Sequence, residues 1–478
     1  MSAMVFPAPK PAPAPPPWQQ PGAKDSCPAG ILMLLAGAAL WLLAASLCGL
    51  AVSLKFHAPG FLASEGYLTY GRLRAAQNAA FLYGFGVPSA VGLGLWFFCR
   101  LGRATVAGPV VVAIGATLWH GAVALGVAAI LCGKTTGFDY FEMPVWCARV
   151  LMLAFLLLGV CALLTFHQRD PGPLYPSQWF VVGSLFWFPW IFSTAVLVLL
   201  VVPERGALQA LTAWWYAYNF DNVFLGFTGL ASAFYFIPKL IGRPLHSHYL
   251  AALAFWTLAL FGSCGGIPNG APLPSWIISL AVVGTVLTAV PLLAVAANFY
   301  QTVYKDLNAM DADPALRFTY VGLIFWLIAG AQQIAGALPQ VSALTDFTWF
   351  GAAQKELFHY GFFALTVFGA LYYIVPRLLG LENSAWRPKL LKIHFYSSFL
   401  GVLICYVALL VTGLEQGILL ASPGNSFTDV LRRTMFPLRM STLGDLLVAG
   451  GACIFLLNLA GVLSKACCRC RAERKERA

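Results

Sequence analysis

A polar cluster interrupts one of the longest apolar stretches of the chain. Residues 210–238 are predominantly apolar, and Asn219, Asp221 and Asn222 lie near the middle of this stretch. Its length predicts a helix that crosses a bilayer. An ionised carboxyl group at the centre of such a helix costs roughly 2.5–3.5 kcal/mol on insertion scales, so residues of this kind usually face the interior of a helix bundle. The three side chains therefore indicate a functional site inside the membrane.

The composition of the whole chain predicts the elements that position this site. Of the 478 residues, 60% are hydrophobic and only 10% are charged, whereas soluble domains carry about 25% charged residues. The predicted fold class is therefore an all-α polytopic membrane protein. Twelve spans are expected, near residues 29–54, 75–99, 105–132, 144–166, 177–202, 210–238, 247–266, 275–303, 316–338, 350–376, 391–414 and 440–464.

The distribution of basic residues predicts the orientation of the bundle. With a cytoplasmic N-terminus, most of the 29 Lys and Arg residues fall on the cytoplasmic side, as the positive-inside rule requires. The many Ala, Gly and Arg residues are typical of a GC-rich bacterial genome. We therefore expect a multi-pass protein of the bacterial inner membrane, in contact with membrane lipid, with both termini in the cytoplasm. The net charge of +11 then records topology and does not indicate nucleic-acid binding.

Two tails are predicted to flank the bundle. Residues 1–28 are rich in proline and alanine and predict a disordered, polyproline-like tail, whereas residues 29–464 form the transmembrane bundle. Residues 465–478 form a basic cytoplasmic tail that contains Cys467, Cys468 and Cys470. Palmitoylation, a weak metal site and unmodified thiols all remain open for these cysteines.

Several short strings carry a resemblance to a known family. They are GRLR at 71–74, WWYAYN at 214–219, FIPK at 236–239, RPL at 243–245, LPSW at 273–276, DPALRF at 313–318 and GALYYIVPRLLG at 369–380. In this order and spacing the set resembles subunit I of the cbb3-type cytochrome c oxidases, a branch of the haem–copper oxidase superfamily. The resemblance runs from about residue 65 to 415 and implies twelve transmembrane helices. It also implies two haem b groups and one copper ion, held by six histidines.

None of the six ligand positions implied by the resemblance holds a histidine in this chain. The residues at these positions are Gln77 for the low-spin haem, Tyr218, Gly266 and Ile267 for copper, and Gln354 and Glu356 for the remaining axial ligands. The redox tyrosine of the family corresponds to Trp326, and a nearby family glutamate corresponds to Gln332.

The replacements have little capacity to hold the metals. Gly266 and Ile267 offer no side-chain donor atom, and glutamine and glutamate are poor haem ligands. Tyrosine ligates haem iron in catalase, but Tyr218 occupies a copper position. We therefore expect that both haems and the copper are lost, so that no residue is assigned a catalytic or metal-binding role.

Two histidines inside predicted spans leave an alternative open. A pair of His120 and His359 would hold one haem, since imidazole is a common axial ligand of haem iron. Alternatively, each histidine forms hydrogen bonds with neighbouring helices, as polar side chains in membrane bundles commonly do.

The resemblance also places the helices of Asp221 and Lys355 opposite each other across the metal centre. We therefore predict a Lys355–Asp221 ion pair, with Gln77, Gln354 and Glu356 around it, as a polar cluster that replaces the metal site. Such a cluster would satisfy groups that are costly to leave unpaired in a membrane. In the alternative interpretation, Lys355 and Glu356 lie at the water interface and contact solvent.

Three functions follow from these alternatives. The first is a non-catalytic paralogue of subunit I that acts as a structural or assembly partner in a respiratory complex, beside other membrane subunits of the cytochrome c type. The second is an active haem–copper oxidase or reductase subunit in aerobic electron transport, which the missing ligands oppose because the metals and haems carry the oxygen chemistry. The third is a proton or ion transporter that uses Asp221, Lys355 and Glu356.

Overall fold

Helices account for the regular structure of the chain. The computed structural model describes residues 28–304, 313–381 and 385–477, and no β-strand occurs in these ranges. The predicted all-α fold class is confirmed. The first 27 residues, nearly all of the predicted proline-rich tail, lie outside the described residues.

Twelve helices follow one another along the chain. They are α1 (Pro28–Leu54), α2 (Tyr70–Gly102), α3 (Pro109–Leu131), α4 (Val145–His167), α5 (Pro176–Val201), α6 (Ala207–Ile241), α7 (His248–Phe261), α8 (Ser275–Val303), α9 (Pro314–Ala337), α10 (Trp349–Leu378), α11 (Pro388–Ala421) and α12 (Phe427–Arg477). A short helix, Pro339–Thr345, lies between α9 and α10. The order of the helices matches the twelve expected spans.

One of the twelve helices is shorter than a membrane span. Eleven helices in the described part of the chain are long and apolar enough to cross a membrane. The exception is α7, whose 14 residues reach about 21 Å at 1.5 Å per residue, against a hydrocarbon core of about 30 Å. The sequence predicts a span over 247–266, but the helix ends at Phe261 and the chain turns at Gly266, which has φ +89°. Glycine adopts this left-handed conformation without strain.

Three helices form the centre of the bundle. In α2, α6 and α10 the apolar segment is buried for 100%, 83% and 94% of its residues, whereas the other membrane-length helices are buried for 33–50%. The outer helices therefore present apolar side chains towards lipid, and the three central helices present them to one another. The predicted polar cluster on α6 and the charged pair on α10 both belong to these central helices.

Each central helix contains a π-helical segment. The segments are Ala80–Gly86 in α2, Phe220–Leu225 in α6 and Leu357–Ala364 in α10. A π-helical turn holds an extra residue and shifts the side chains that follow, and such turns are frequent at functional sites. Asp221 lies within the segment of α6 and His359 within that of α10. Both ionisable groups therefore lie where the helices depart from α-helical geometry.

The last helix extends beyond the predicted end of the bundle. Helix α12 continues to Arg477, so that residues 465–477 of the predicted tail are helical. Lys465 Nζ donates a hydrogen bond of 2.7 Å to the carbonyl oxygen of Ala385, which ties this extension to the segment that precedes α11.

Candidate functional site

Two cavities lie beside the central helices. The first, of about 210 Å³, is enclosed by α1, α2, α10, α11, α12 and the loop between α3 and α4. The second, of about 260 Å³, is enclosed by α6, α8, α9, α10 and the loops before α8 and α10. The six ligand positions divide between them. Gln77 and Glu356 line the first cavity, and the second is lined by Tyr218, Gly266, Ile267 and Gln354.

A surface ion pair lies at the mouth of the first cavity. Lys355 Nζ lies 3.0 Å from Asp139 Oδ2, and the two side chains are 39% and 60% exposed. The predicted ion pair of Lys355 with Asp221 is therefore wrong. Lys355 lies near the outer end of α10, where the loop between α3 and α4 offers a carboxylate close to solvent. Its ammonium group also lies 4.6 Å from the centre of the Tyr140 ring.

Asp221 belongs instead to a buried network with an aromatic hydroxyl and an imidazole. The Tyr140 hydroxyl donates to Asp221 Oδ2 at 2.5 Å, and His359 Nε2 lies 2.8 Å from Asp221 Oδ1. Burial and the nearby Asp221 carboxylate raise the pKa of Tyr140, which therefore stays a hydrogen-bond donor. The His359 ring packs on Phe81, with ring centres 4.7 Å apart. The carboxylate that first indicated a site is thus satisfied by two neighbours from different elements.

The two asparagines of the polar cluster form hydrogen bonds mainly with backbone carbonyl oxygens. Asn219 Nδ2 donates to the carbonyl oxygens of Trp215 and Ser263, at 2.9 and 3.0 Å, and its Oδ1 accepts from Trp187 Nε1 at 3.0 Å. Asn222 Nδ2 donates to the carbonyl oxygen of its own helix at Tyr218. Asn219 therefore joins α5, α6 and the end of α7, and neither asparagine hydrogen-bonds to Asp221.

The loop between α3 and α4 supplies three polar residues that sequence reasoning missed. Besides Asp139 and Tyr140, it carries Glu142, which is 5% exposed. Asn78 Nδ2 donates to Asp139 Oδ1 at 3.1 Å and to Glu142 Oε1 at 3.0 Å. Burial raises the pKa of Asp139, and Lys355 and Arg74 bring it below its ordinary value. Burial and the Asp139 carboxylate raise the pKa of Glu142 to about 8, so this side chain is mostly protonated at pH 7.

A second set of side chains lies deeper in the first cavity. Glu356 on α10, Cys405 on α11 and Asp445 on α12 each place a potential ligand atom within 4.8 Å of the other two. Cys405 Sγ lies 3.5 Å from Asp445 Oδ1. A cysteine inside a predicted membrane span usually behaves as a small apolar residue, so sequence reasoning does not single out Cys405. The presence of a single carboxylate, Asp445, in the apolar segment of the last span is the signal that would have found this set.

The ring of Tyr218 forms part of the wall of the second cavity. Its hydroxyl lies 3.2 Å from Thr285 Oγ1, and its ring lies across Gly266. A Cβ atom at Gly266 would lie 2.3 Å from Tyr218 Cβ, so only glycine fits there. Gln332 Nε2 donates to the carbonyl oxygen of Phe350 at 2.9 Å, and this bond ties α9 to the start of α10.

Trp326 and His120, which the sequence also singles out, do not line the second cavity. Trp326 is 5% exposed, and its ring centre lies 6.0 Å from that of Phe362. His120 packs on α1, where a Cβ atom at Gly37 would lie 2.4 Å from His120 Nε2. No hydrogen bond or ring contact joins His120 to His359 in the described part of the chain, and His359 Nε2 already contacts Asp221.

Comparison with known proteins connects this arrangement to the respiratory oxidases. The family model described as "Cytochrome C and Quinol oxidase polypeptide I" matches residues 30–447. The "Cytochrome c oxidase subunit 1 homolog" of Azorhizobium caulinodans is 25% identical over 451 residues, covering 90% of this chain and 81% of that protein. The "Cbb3-type cytochrome c oxidase subunit CcoN1" of Stutzerimonas stutzeri is 25% identical over 365 residues, covering 74% of this chain and 76% of that protein.

A solved structure shows the same fold. The protein resembles one chain in a solved structure of a heme-copper terminal oxidase dimer, with a TM-score of 0.67 at 15% sequence identity. The match covers 91% of this chain and 84% of the other. Because the family model matches most of the chain, the protein belongs to the cytochrome c and quinol oxidase polypeptide I family of the haem–copper oxidases, as a divergent member without the ligand histidines.

Proposed function

We propose that this protein is a non-catalytic relative of oxidase subunit I, which acts as a structural or assembly partner for other respiratory subunits in the bacterial inner membrane. The observation that carries the proposal is the set of side chains at the six ligand positions. They form hydrogen bonds and packing contacts within the protein, and they offer no imidazole to iron or copper. Reduction of oxygen belongs to the metals and haems, which the protein only binds and orients.

The donor set of the first cavity does not fit a haem. Gln77 and Glu356 occupy the two positions where the family has axial histidines. Gln77 Oε1 accepts a hydrogen bond of 2.9 Å from Arg74, so the carbonyl end of its amide is already engaged. The volume of about 210 Å³ is below the roughly 300–1,000 Å³ of pockets for drug-sized ligands, and a haem is larger than most such ligands.

The lining of the second cavity is even less suited to a haem or a copper ion. Of its four ligand positions, Gly266 and Ile267 have no donor atom, and the Tyr218 hydroxyl faces Thr285. The Tyr218 ring occupies the space beside Gly266. Gln354 alone cannot supply both a haem ligand and a copper ligand. These features support the loss of both metals from this cavity.

The packing of the central helices supports a retained structural role. Cavities in a packed interior lower stability in proportion to their volume. Here Asp221 is paired with Tyr140 and His359, and the central helices α2, α6 and α10 remain almost fully buried. A scaffold that keeps the fold of subunit I would keep the outer surface against which partner subunits pack. The relatives are named as subunits of cytochrome c oxidases, so we infer partners of the cytochrome c type.

A visible spectrum with metal analysis tests the proposal. The full chain is purified from bacterial membranes, and its reduced-minus-oxidised spectrum and its iron and copper contents are measured per chain. The subunit from Stutzerimonas stutzeri, expressed and purified in the same host, is the positive control for haem insertion. We expect far less than one iron and one copper per chain. Stoichiometric b-type haem would contradict the proposal and support an active oxidase.

Ion or proton transport is a second candidate, favoured by the charged side chains of the first cavity. Arg74, Glu356 and Asp445 line this cavity within membrane-length helices, and intramembrane charges often mark ion pathways. Purified protein in liposomes would then show a cation or proton flux that Glu356→Gln abolishes. A flux equal to that of empty liposomes would contradict this candidate.

A further inference from the structure

We propose that Glu356, Cys405 and Asp445 form a binding site for one divalent cation of the zinc class in the first cavity. The site does not depend on the proposed structural role, because these three side chains could bind a cation whether or not the second cavity held a haem. It uses side chains from three helices, α10, α11 and α12, so a bound ion would join these helices.

The geometry of the three side chains suits a small ion. Their ligand atoms lie within 4.8 Å of one another, and Cys405 Sγ lies 3.5 Å from Asp445 Oδ1. Two ligands of a tetrahedral zinc ion, at about 2.0 Å for oxygen and 2.3 Å for sulfur, lie about 3.5 Å apart. The separation of Cys405 Sγ and Asp445 Oδ1 therefore matches that of two donors around one zinc ion, and Glu356 lies within 4.8 Å of both.

An unpaired hydroxyl group provides an independent indication of a ligand. Tyr360 is 7% exposed and lines the same cavity. Its hydroxyl has no hydrogen bond within 3.5 Å in the described part of the chain, and the Gln77 side chain lies near it. Tyr360 lies one helical turn after Glu356, and side chains at this spacing share a helix face. A buried hydroxyl without a partner is costly, and a metal-bound water or carboxylate oxygen would satisfy it.

The charges around the site also favour a divalent ion. Two carboxylates and a thiolate with one divalent cation leave a single negative charge, and the Arg74 guanidinium in the same cavity balances it. Without a cation, Arg74 can balance only one of the two carboxylates, and the other would have to hold a proton, because unpaired charge in a membrane interior is costly.

The mixture of donors selects the kind of metal. Zinc accepts cysteine sulfur together with carboxylate oxygen, usually with four ligands. Calcium takes six to eight oxygen ligands and magnesium requires octahedral oxygen coordination, so the Cys405 thiol disfavours both. Three protein ligands would leave one position for water. An ion would enter at the mouth of the cavity, where Lys355 and Asp139 are partly exposed to solvent.

Metal titration of the purified full chain tests the site. Metal-free protein in detergent is titrated with Zn²⁺ by calorimetry, and with Co²⁺ as a spectroscopic probe of thiolate coordination. We expect one equivalent in the cavity and a cobalt–thiolate absorption band. Cys405→Ser should abolish the band. Glu356→Gln and Asp445→Asn should weaken affinity at least about tenfold, since even changes to residues that only hydrogen-bond to a metal ligand cost 10–100-fold.

Two control variants separate this site from other thiols. Cys147→Ser removes a buried cysteine outside the cavity and should leave affinity unchanged. A chain with Cys467, Cys468 and Cys470 replaced by serine removes the tail thiols and should retain the cavity equivalent. Absence of the cobalt–thiolate band from this tail variant would overturn the proposal, as would equal affinity in wild type and Cys405→Ser.

A stability readout keeps the test decisive if a variant folds poorly. Zn²⁺ should raise the melting temperature of the wild type, because a ligand that binds only the native state stabilises it. It should not raise that of Cys405→Ser. Iron and copper analysis reports on the proposed function separately, so a chain free of iron that also fails to bind Zn²⁺ would overturn this inference alone.

Discussion

The two cavities differ in the side chains at the positions to which the resemblance assigns metal ligands. In the first, Gln77 and Glu356 stand at these positions, and Arg74, Glu356 and Asp445 keep the space polar. In the second, two positions have no donor atom and the ring of Tyr218 lies across Gly266. The first cavity therefore offers donor atoms to a ligand such as a cation, whereas the second offers few donors and has the Tyr218 ring packed beside Gly266. Two cavities beside the same central helices thus differ in the ligands that they could bind.

The largest expected effect comes from overpacking the contact between Gly266 and Tyr218 at the second cavity. Gly266→Ala would place a Cβ atom 2.3 Å from Tyr218 Cβ, at a residue with φ +89°. Overpacking typically costs about 1–3 kcal/mol, and backbone strain of this kind a further 1–3 kcal/mol. We expect a loss of about 3–5 kcal/mol, measured as a large fall in melting temperature in detergent. Gly270→Ala, which meets no atom within 4 Å, is the control. An equal response of the two variants would show that this contact is not tight.

The next largest effect is expected from the buried network of Asp221, Tyr140 and His359. Asp221→Ala would leave the Tyr140 hydroxyl and the His359 ring without their shared acceptor. An unsatisfied buried group costs about 1–3 kcal/mol, so we expect a loss of about 2–3 kcal/mol in thermal or denaturant unfolding. Asp221→Asn retains one acceptor oxygen and should lose less. If the alanine variant is as stable as the wild type, Asp221 does not hold the central helices together.

The pH dependence of stability tests the loop that covers the first cavity. Because the pKa of Glu142 is raised to about 8 in the folded protein and is about 4.3 in an unfolded chain, folding takes up a proton between these values. Stability should therefore fall as pH rises from about 5 to 8, by at most about 1.4 kcal/mol per pH unit. Melting temperatures across this range provide the measurement. Glu142→Gln should flatten the profile, and an unchanged slope in this variant would contradict the assignment.

The smallest effect is expected at the mouth of the first cavity. The Lys355–Asp139 pair is partly exposed, and exposed ion pairs contribute about 0–1 kcal/mol. A double-mutant cycle with Lys355→Ala and Asp139→Ala should give a coupling energy below about 1 kcal/mol, and it should shrink in high salt. A coupling of several kcal/mol would mean that this pair, and not the buried network, holds the loop in place.

The sequence predicted the fold from local features. Its apolar stretches gave the helix order, and short strings such as WWYAYN gave the family. Helix α7 is shorter than the predicted span because the helix ends at Phe261 and the chain turns at Gly266, and hydropathy does not report backbone conformation. Tyr218 and Gly266, both assigned to copper by the resemblance, line the same cavity, whereas the shared cavity of Gln77 and Glu356 was not predicted.

The contacts of the site were less predictable, because they join distant segments. Asp139 lies in a loop without periodicity, and only its path over α10 brings it to Lys355. Cys405 and Asp445 meet through the packing of α11 on α12, which no local pattern encodes. Asp221 was found because a carboxylate in a membrane helix is costly, but its partners Tyr140 and His359 come from a loop and from α10.

We propose that the scaffold of subunit I remains in this protein while its metals are gone. The haem and metal content per chain tests this most directly, in a host that assembles a cbb3-type oxidase from its own or supplied genes. We expect a correctly folded protein with far less than one haem b and one copper per chain, while the control subunit from the same host carries both. Two haem b groups and one copper per chain would contradict it.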